Sequence, residues 1–359
     1  MSKKIAIIGI VGLPAKYGGF ETLVEQLTKN IGTQLQITVF CSSKSYKNKL
    51  DEYNGAKLKY VNLKANGFQS ILYDIVSIIK SLKDHDVLLI LGVSGCIVLP
   101  FVKLFSSKKI VVNIDGIEWK REKWGKITKK FLRISEKLAV KYSHEVIADN
   151  KIIKDYVEKE YGISSHLITY GADHVEKELI DDEIIKLYPF LSCDYAFKVC
   201  RIEPENNIHL ILQAFSKLPE KMIVIIGNWN NSSYGKELIL QYSQFNNIFL
   251  LNPIYDQKVL NQIRSNCFIY IHGHSAGGTN PSLVEAMHLN LPIIAFSADY
   301  NKETTRQMAY YFSNENELRE LLKNFNFEEG AIVANNMRSI AEEDYNWIKI
   351  CEKYNKVLN

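Results

Sequence analysis

Short aliphatic runs alternate with segments of helical periodicity from one end of the chain to the other. In the first half the runs predict strands over 4–8, 36–40, 57–61, 87–91, 110–114, 145–148 and 167–170, with helices over 20–30, 70–82 and 152–161. The pattern restarts at Phe197, with strands over 197–202, 222–226, 248–251, 267–271 and 292–296 and helices over 208–218, 236–244 and 280–288. Strands that are apolar throughout, each followed by a helix, need cover on both faces, as in a parallel sheet. The expected fold class is therefore α/β, with two Rossmann-like domains whose strand-end loops face a central cleft, where such sheets bind ligands.

The rhythm breaks over 171–193, a charged and less regular stretch. The expected division is an N-terminal domain over 1–172, a linker over 173–195, a C-terminal domain over 196–340 and a terminal helix over 341–359 that packs back on the first domain. A length of 359 residues suits two such domains. Apolar residues make up 47% and charged residues 23%, which excludes wholesale disorder. A net charge of +4 supports no general affinity for nucleic acid. Six cysteines without CxxC pairs read as reduced thiols of a cytoplasmic protein. The apolar run 87–102 is interrupted by glycine, serine and proline and falls short of a membrane span.

Charge is concentrated locally. Between Trp119 and Lys141 nine Lys or Arg face two Glu, interleaved with Trp119, Trp124, Ile127, Phe131, Leu132 and Leu138. Such a helix suits an anionic membrane surface with aromatic anchors, and equally a solvated face whose apolar side packs on the sheet.

Candidate chemistry lies in the strand-end loops. HGHSAGGTNPSLVEAM, from His272 to Met287, joins a strand to a helix through Gly273, Gly277, Gly278 and Thr279; Asn280 is a favoured N-cap and Pro281 suits the first helical position. The helix start suits a diphosphate, and Glu285, about a turn in, suits a sugar diol. The same residues also suit an ordinary surface turn. GIVGLPAKYGGFETLVE, from Gly9 to Glu25, lacks the GxGxxG spacing of a nicotinamide enzyme, yet Gly18 and Gly19 precede a helix. NIDGIEWKR places Asp115, Glu118 and Arg121 at a strand terminus, where a general base or an acceptor-binding carboxylate would sit, or where a loop is simply capped. In CRIEPENNIHL, Arg201 could neutralise a leaving diphosphate or form a surface ion pair. No His, Cys or carboxylate group has metal spacing, so no metal or other cofactor is expected.

Taken in order, PAKYGGFETLVE, NIDGIEWKREKWG, SHEVIADN, YGAD, RIEPENN and GHSAGGTNPSLVEAM resemble the retaining GT-B glycosyltransferases of family 4, nearest the bacterial rhamnosyltransferase-like enzymes of capsule, O-antigen and cell-wall polysaccharide synthesis. The resemblance spans nearly the whole chain. It implies a nucleotide-sugar donor held by the second domain and an acceptor held by the first, with Glu118 and Arg121 on the acceptor side. Glu285 would take the ribose; Arg201, Asn206, the backbone at Gly18 and Gly19, and the 277–280 turn would meet the rest of the donor. Asp115 falls where many relatives carry a histidine beside the reacting sugar. Two departures stand out: Gly277 replaces the first Glu of the family pair, and Asn206 stands at a Lys position.

The implied activity is retaining transfer of L-rhamnose from dTDP-β-L-rhamnose to a polyprenyl-diphosphate-linked saccharide, by a protein peripheral on the cytoplasmic membrane face. Asp115 and Arg201 are the expected catalytic residues, and domain closure would exclude water. A catalytically silent nucleotide-sugar-binding subunit and a UDP-sugar epimerase are the alternatives.

Overall fold

The computed structural model describes residues 3–16, 18–32, 34–67, 69–114, 116–121 and 124–359. It contains two compact units, Met1–Tyr170 with Trp347–Asn359, and Gly171–Asn346.

The first unit is built on eight strands: β1 Lys4–Ile8, β2 Gln36–Ser42, β3 Glu52–Tyr53, β4 Ala56–Val61, β5 Val87–Leu91, β6 Lys109–Ile114, β7 Glu145–Ala148 and β8 His166–Leu167. Their order is β3-β4-β2-β1-β5-β6-β7-β8. Every pair is parallel except the β3–β4 hairpin, whose Asn54-Gly55 turn takes φ of 48° and 75°, as a tight hairpin turn requires. The helices are α1 Gly19–Ile31, α2 Gln69–Ser81, α3 Leu99–Phe105, α4 Lys126–Tyr142 and α5 Lys151–Tyr161. β5 is buried along its whole length and β1 along all but its first residue, which is why they read as uninterrupted aliphatic runs. The chain runs from β1 outward to β4 and then crosses back to β5. Between β1 and β5 the topology therefore switches, and their carboxyl-end loops lie at that point.

The second unit has six parallel strands in the order β11-β10-β9-β12-β13-β14. They are β9 Tyr195–Val199, β10 Met222–Ile226, β11 Ile248–Leu251, β12 Ile269–His272, β13 Ile293–Phe296 and β14 Tyr310–Phe312. Its helices are α6 Asp182–Leu187, α7 Ile208–Ser216, α8 Ser233–Tyr242, α9 Gln257–Arg264, α10 Pro281–His288, α11 Asp299–Thr304, α12 Glu315–Lys323 and α13 Phe327–Asp344. The switch here falls between β9 and β12, so the loops 200–207 and 273–280 are its ligand-facing ends.

Two expectations need correction. Residues 173–195 are not a free linker: Asn266 Nδ2 donates to Glu178 O at 2.8 Å, and Gln262 Nε2 to Leu179 O and to Asp181 Oδ2, each at 2.9 Å. These bonds strap the segment to the second unit. The terminal helix expected over 341–359 is broken, because Tyr345 O accepts from Ala172 N at 2.7 Å and Asn346 Nδ2 donates to Asp173 at 2.9 Å. Beyond that break α14, Trp347–Leu358, belongs to the first unit. There it packs on α1, Tyr354 OH accepts from the buried Asn113, and Trp347 meets the Tyr170 ring edge-on at 4.8 Å.

Candidate functional site

In the second unit the two switch-point loops are knitted together by side chains. Asn207 Nδ2 donates to Gly273 O at 2.8 Å, and Ser275 donates to Glu205 O through both its N–H (2.9 Å) and its hydroxyl (3.0 Å). Asn206 Nδ2 donates to Arg201 O at 2.9 Å, while its Oδ1 meets His274 Nδ1 at 3.2 Å. Asn301 Nδ2 then holds His274 O at 2.8 Å from the neighbouring helix. Gly273 is required by closeness, since a Cβ there would collide with Asn206 O and lie 3.0 Å from Ile211 Cδ1. Arg201, Asn206 and the 277–280 turn, far apart in sequence, are thus parts of one loop pair. Arg201 is exposed above it, and Asn206 and Thr279 are buried.

The glycine turn ends on a formed helix start. Gly277 takes φ of +106°, a conformation costly for any other residue. Asn280 caps α10, its Oδ1 accepting from Ser282 N at 3.1 Å and from Ser282 Oγ at 2.9 Å, and Pro281 follows. Partial positive charge accumulates at such an end and favours an anion.

Glu285, one turn further, lies between two basic side chains. Arg264 Nη1 is 2.6 Å from Oε2 and His174 Nε2 is 3.3 Å from Oε1, with only 7% of the Arg264 side chain and 15% of the Glu285 side chain exposed. Burial would raise the Glu285 pKa, but Arg264 first and His174 after it outweigh burial and hold the carboxyl below its ordinary range. It is therefore an anion whose remaining lone pairs can accept from hydroxyls. Neither Arg264 nor His174 was identified from sequence. The available signal was general: a nearly buried carboxylate demands a cation.

Beneath the loops two basic groups are pushed toward neutrality by burial. Lys198 on β9 is 1% exposed and its pKa is lowered by burial, against the opposing effect of Cys200. His272 at the end of β12 is also 1% exposed, and burial, then the charges of Lys198 and His274, drive it well below the usual histidine value. Among the described residues, no three His, Cys, Asp or Glu side chains converge as a metal site.

In the first unit the loop after β1 is fixed by helix-borne carboxylates. Glu21 Oε1 accepts from Val11 N at 2.8 Å; Glu25 Oε1 accepts from Ala15 N at 3.1 Å and from Tyr53 OH at 2.9 Å. Gly18 has φ of +121°, and the Glu21 carboxylate lies where its Cβ would be. The Glu21 carboxylate thus lies close to Gly18, which with Gly19 was expected to present N–H groups to a diphosphate. Glu21 and Glu25 stand in the quoted motif, and their positioning role was not identified there.

Asp115 lies outside the described residues. Glu118 and Arg121 are brought together on a short 3-10 turn, Glu118–Lys120, with Arg121 Nε 2.7 Å from Glu118 Oε2 and Trp124 Nε1 donating to Glu118 Oε1 at 2.9 Å. Trp119 is held inward as well. Its Nε1–H reaches the buried Glu136 at 3.3 Å, and Tyr156 and Tyr161 donate to the same oxygen at 2.7 and 2.6 Å. Burial raises the Glu136 pKa, against lowering by Tyr161, Tyr156 and Trp119. The tryptophans expected as membrane anchors over 119–141 are therefore engaged within the protein, and α4 begins only at Lys126.

These two units and their switch-point loops define a GT-B fold. Residues 191–342 match the family described as Glycosyl transferases group 1, and residues 2–173 match a domain of unknown function, DUF1972. The Glycosyl transferases group 1 match lies within the second unit. Among solved structures, sucrose-phosphate synthase (tll1590) from Thermosynechococcus elongatus is similar, with a TM-score of 0.82 at 13% identity, covering 99% of this chain and 98% of that one. Alr3699/HepE of Anabaena, in complex with UDP-glucose, gives 0.78 at 16% identity and 99% of each chain. A glycosyltransferase from Rickettsia africae ESF-5 gives 0.74 at 12% identity, covering 99% of this chain and 98% of that one. No curated protein matches the chain in sequence.

Proposed function

We propose that the protein is a retaining, metal-independent glycosyltransferase that transfers L-rhamnose from dTDP-β-L-rhamnose to a polyprenyl-diphosphate-linked saccharide at the cytoplasmic membrane face. The observation that carries the transferase reading is the knitted loop pair of the second unit, which joins the loop that carries Arg201 to the loop that ends in the Asn280-capped helix of the anionic Glu285. Glu285 takes the ribose diol. Arg201 and the helix end stabilise the departing diphosphate, an electrostatic contribution that grows as the glycosidic bond breaks. The Anabaena protein similar in fold was solved with UDP-glucose, which supports a nucleotide-sugar donor here.

Rhamnose is suggested by Gly277. By the family resemblance a carboxylate at that position would contact the donor sugar, and a glycine leaves room instead of an acceptor for hydroxyls. The acceptor lies with the first unit, where Glu118, Arg121 and Asp115 are the candidates, Asp115 for acceptor positioning or proton removal.

The test is transfer by purified protein with dTDP-β-L-rhamnose and UDP-sugars as donors and a lipid-diphosphate saccharide as acceptor. A β-linked rhamnoside formed equally with and without EDTA is expected, since retention keeps the donor configuration. Transfer only from UDP-sugars overturns the donor, and inverted product overturns the stereochemistry. Nucleotide binding without transfer favours a catalytically silent subunit, while a new sugar formed from donor alone favours an epimerase.

A further inference from the structure

We infer that the short helix α3 is a membrane anchor and that α4 beside it is the electrostatic dock, so that this face of the first unit rests on an anionic phospholipid bilayer. The inference deepens the membrane reading above and rests on it. In α3, LPFVKLF, Leu99 and Val102 are buried. The other face turns Phe101, Leu104 and Phe105 outward, 67%, 74% and 80% exposed. Single exposed apolar residues are ordinary, but three large ones on one helical turn form a patch that marks an interaction surface.

Charge names the occupant. α3 packs against α4, which buries Leu132, Ser135, Glu136, Ala139 and Val140 on its inner side. Its outer side carries Lys126, Lys130, Lys137 and Lys141 at helical spacing, with Ile127 87% exposed among them. Among the described residues no carboxylate pairs with these four lysines; Arg133 alone on this stripe has one, Glu160 at 3.0 Å. A cationic stripe beside protruding aromatic and aliphatic side chains matches lipid phosphates above acyl chains. No helix among the described residues is long and apolar enough to cross a membrane, so the contact is a surface one.

The sequence pattern offers aromatic anchors within 119–141, where Trp119 and Trp124 are hydrogen-bonded to Glu136 and Glu118, and it reads 87–102, which includes the start of α3, only as an apolar run too short to span a membrane. The test is sedimentation of the full-length protein with vesicles of phosphatidylcholine and phosphatidylglycerol, at low and high salt. Wild type is expected to bind, with binding weakened by salt. The Phe101→Ser/Leu104→Ser/Phe105→Ser variant, the single Phe105→Ser variant and the Lys126→Gln/Lys130→Gln/Lys137→Gln variant should each bind more weakly, the triples by at least ~10-fold. Transfer to a short water-soluble acceptor should be unchanged in all of them. If the serine variants bind like wild type, α3 is not the anchor, although membrane association through α4 stands. If wild type binds no vesicle, the membrane reading falls and this inference with it. A wild-type dimer that the serine variants lose, without vesicle binding, would make the patch a protein interface and overturn the proposal.

Discussion

Replacing Glu285 by Gln should expose how much of the second unit depends on one ion pair. The change keeps the shape of α10 and removes the charge facing Arg264 at 2.6 Å and His174 at 3.3 Å. Two unit charges about 4 Å apart attract by ~4 kcal/mol at an effective dielectric constant of about 20. Removing one member of a buried pair costs about 3–5 kcal/mol, because the other is left without compensation. With Glu285 partly accessible and the amide still able to accept from Arg264, a loss of ~2–4 kcal/mol is expected. Arg264→Met should cost a similar amount, and the double variant should recover part of it, giving a coupling of ~2 kcal/mol. A two-unit chain need not unfold in one step, so amide hydrogen exchange in α9 and α10 is the suitable measure. Calorimetry with dTDP and UDP adds the functional readout, with at least ~10-fold weaker nucleotide binding expected for Glu285→Gln. The carboxyl is held below its ordinary range, so its stabilisation is fully present above the unfolded carboxyl value of about 4.3 and is lost only as pH falls through the lower folded value. The Glu285 carboxyl itself should therefore add no pH dependence between neutral pH and about pH 5, read as the difference in α10 protection between wild type and Glu285→Gln. A coupling under ~0.5 kcal/mol together with unchanged nucleotide binding would refute the reasoning.

Burial raises Asp74 to about 7, against a hydrogen bond from Ser94 that lowers it. The folded state thus holds this proton between about pH 4 and 7 and loses stability as pH rises through that window, by ~4 kcal/mol at most; Asp74→Asn should stabilise the first unit more at pH 8 than at pH 5 in hydrogen exchange, and an equal effect at both would contradict the assignment. Gly273→Ala places a Cβ against Asn206 O and should part the two loops, weakening nucleotide binding at least ~10-fold with circular dichroism unchanged; wild-type affinity would show that the knitting does not shape the site. Asn280→Ala removes the cap of α10 and should cost ~1 kcal/mol of protection in its first turn, with Asn280→Ser restoring most of it; equal loss in both would deny the cap its role.

The site was legible in sequence where local chemistry decides it. Asn280, Pro281 and the glycines before them predict a turn and a capped helix from propensities that act within a few residues, and the structure has both. Partners supplied by distant segments were not legible. Arg264 ends the helix before β12 and His174 sits in what reads as a linker, yet they are what keeps Glu285 ionised. Glu118 and Arg121 read as open acceptor groups until folding pairs them with each other. The helix break at Tyr345 depends on a bond from Ala172, which no periodicity in 341–359 encodes.

By itself the sequence determined the α/β alternation, the strands of both sheets other than the short edge strands β3 and β14, and the order of the strand-end loops, because these follow from hydrophobic period and turn chemistry along the chain. Tertiary structure alone decided which residues of those loops meet, which charges are compensated and which apolar side chains remain on the surface. Burial and pairing are properties of neighbours brought together across the fold, and a chain read in order has no access to them.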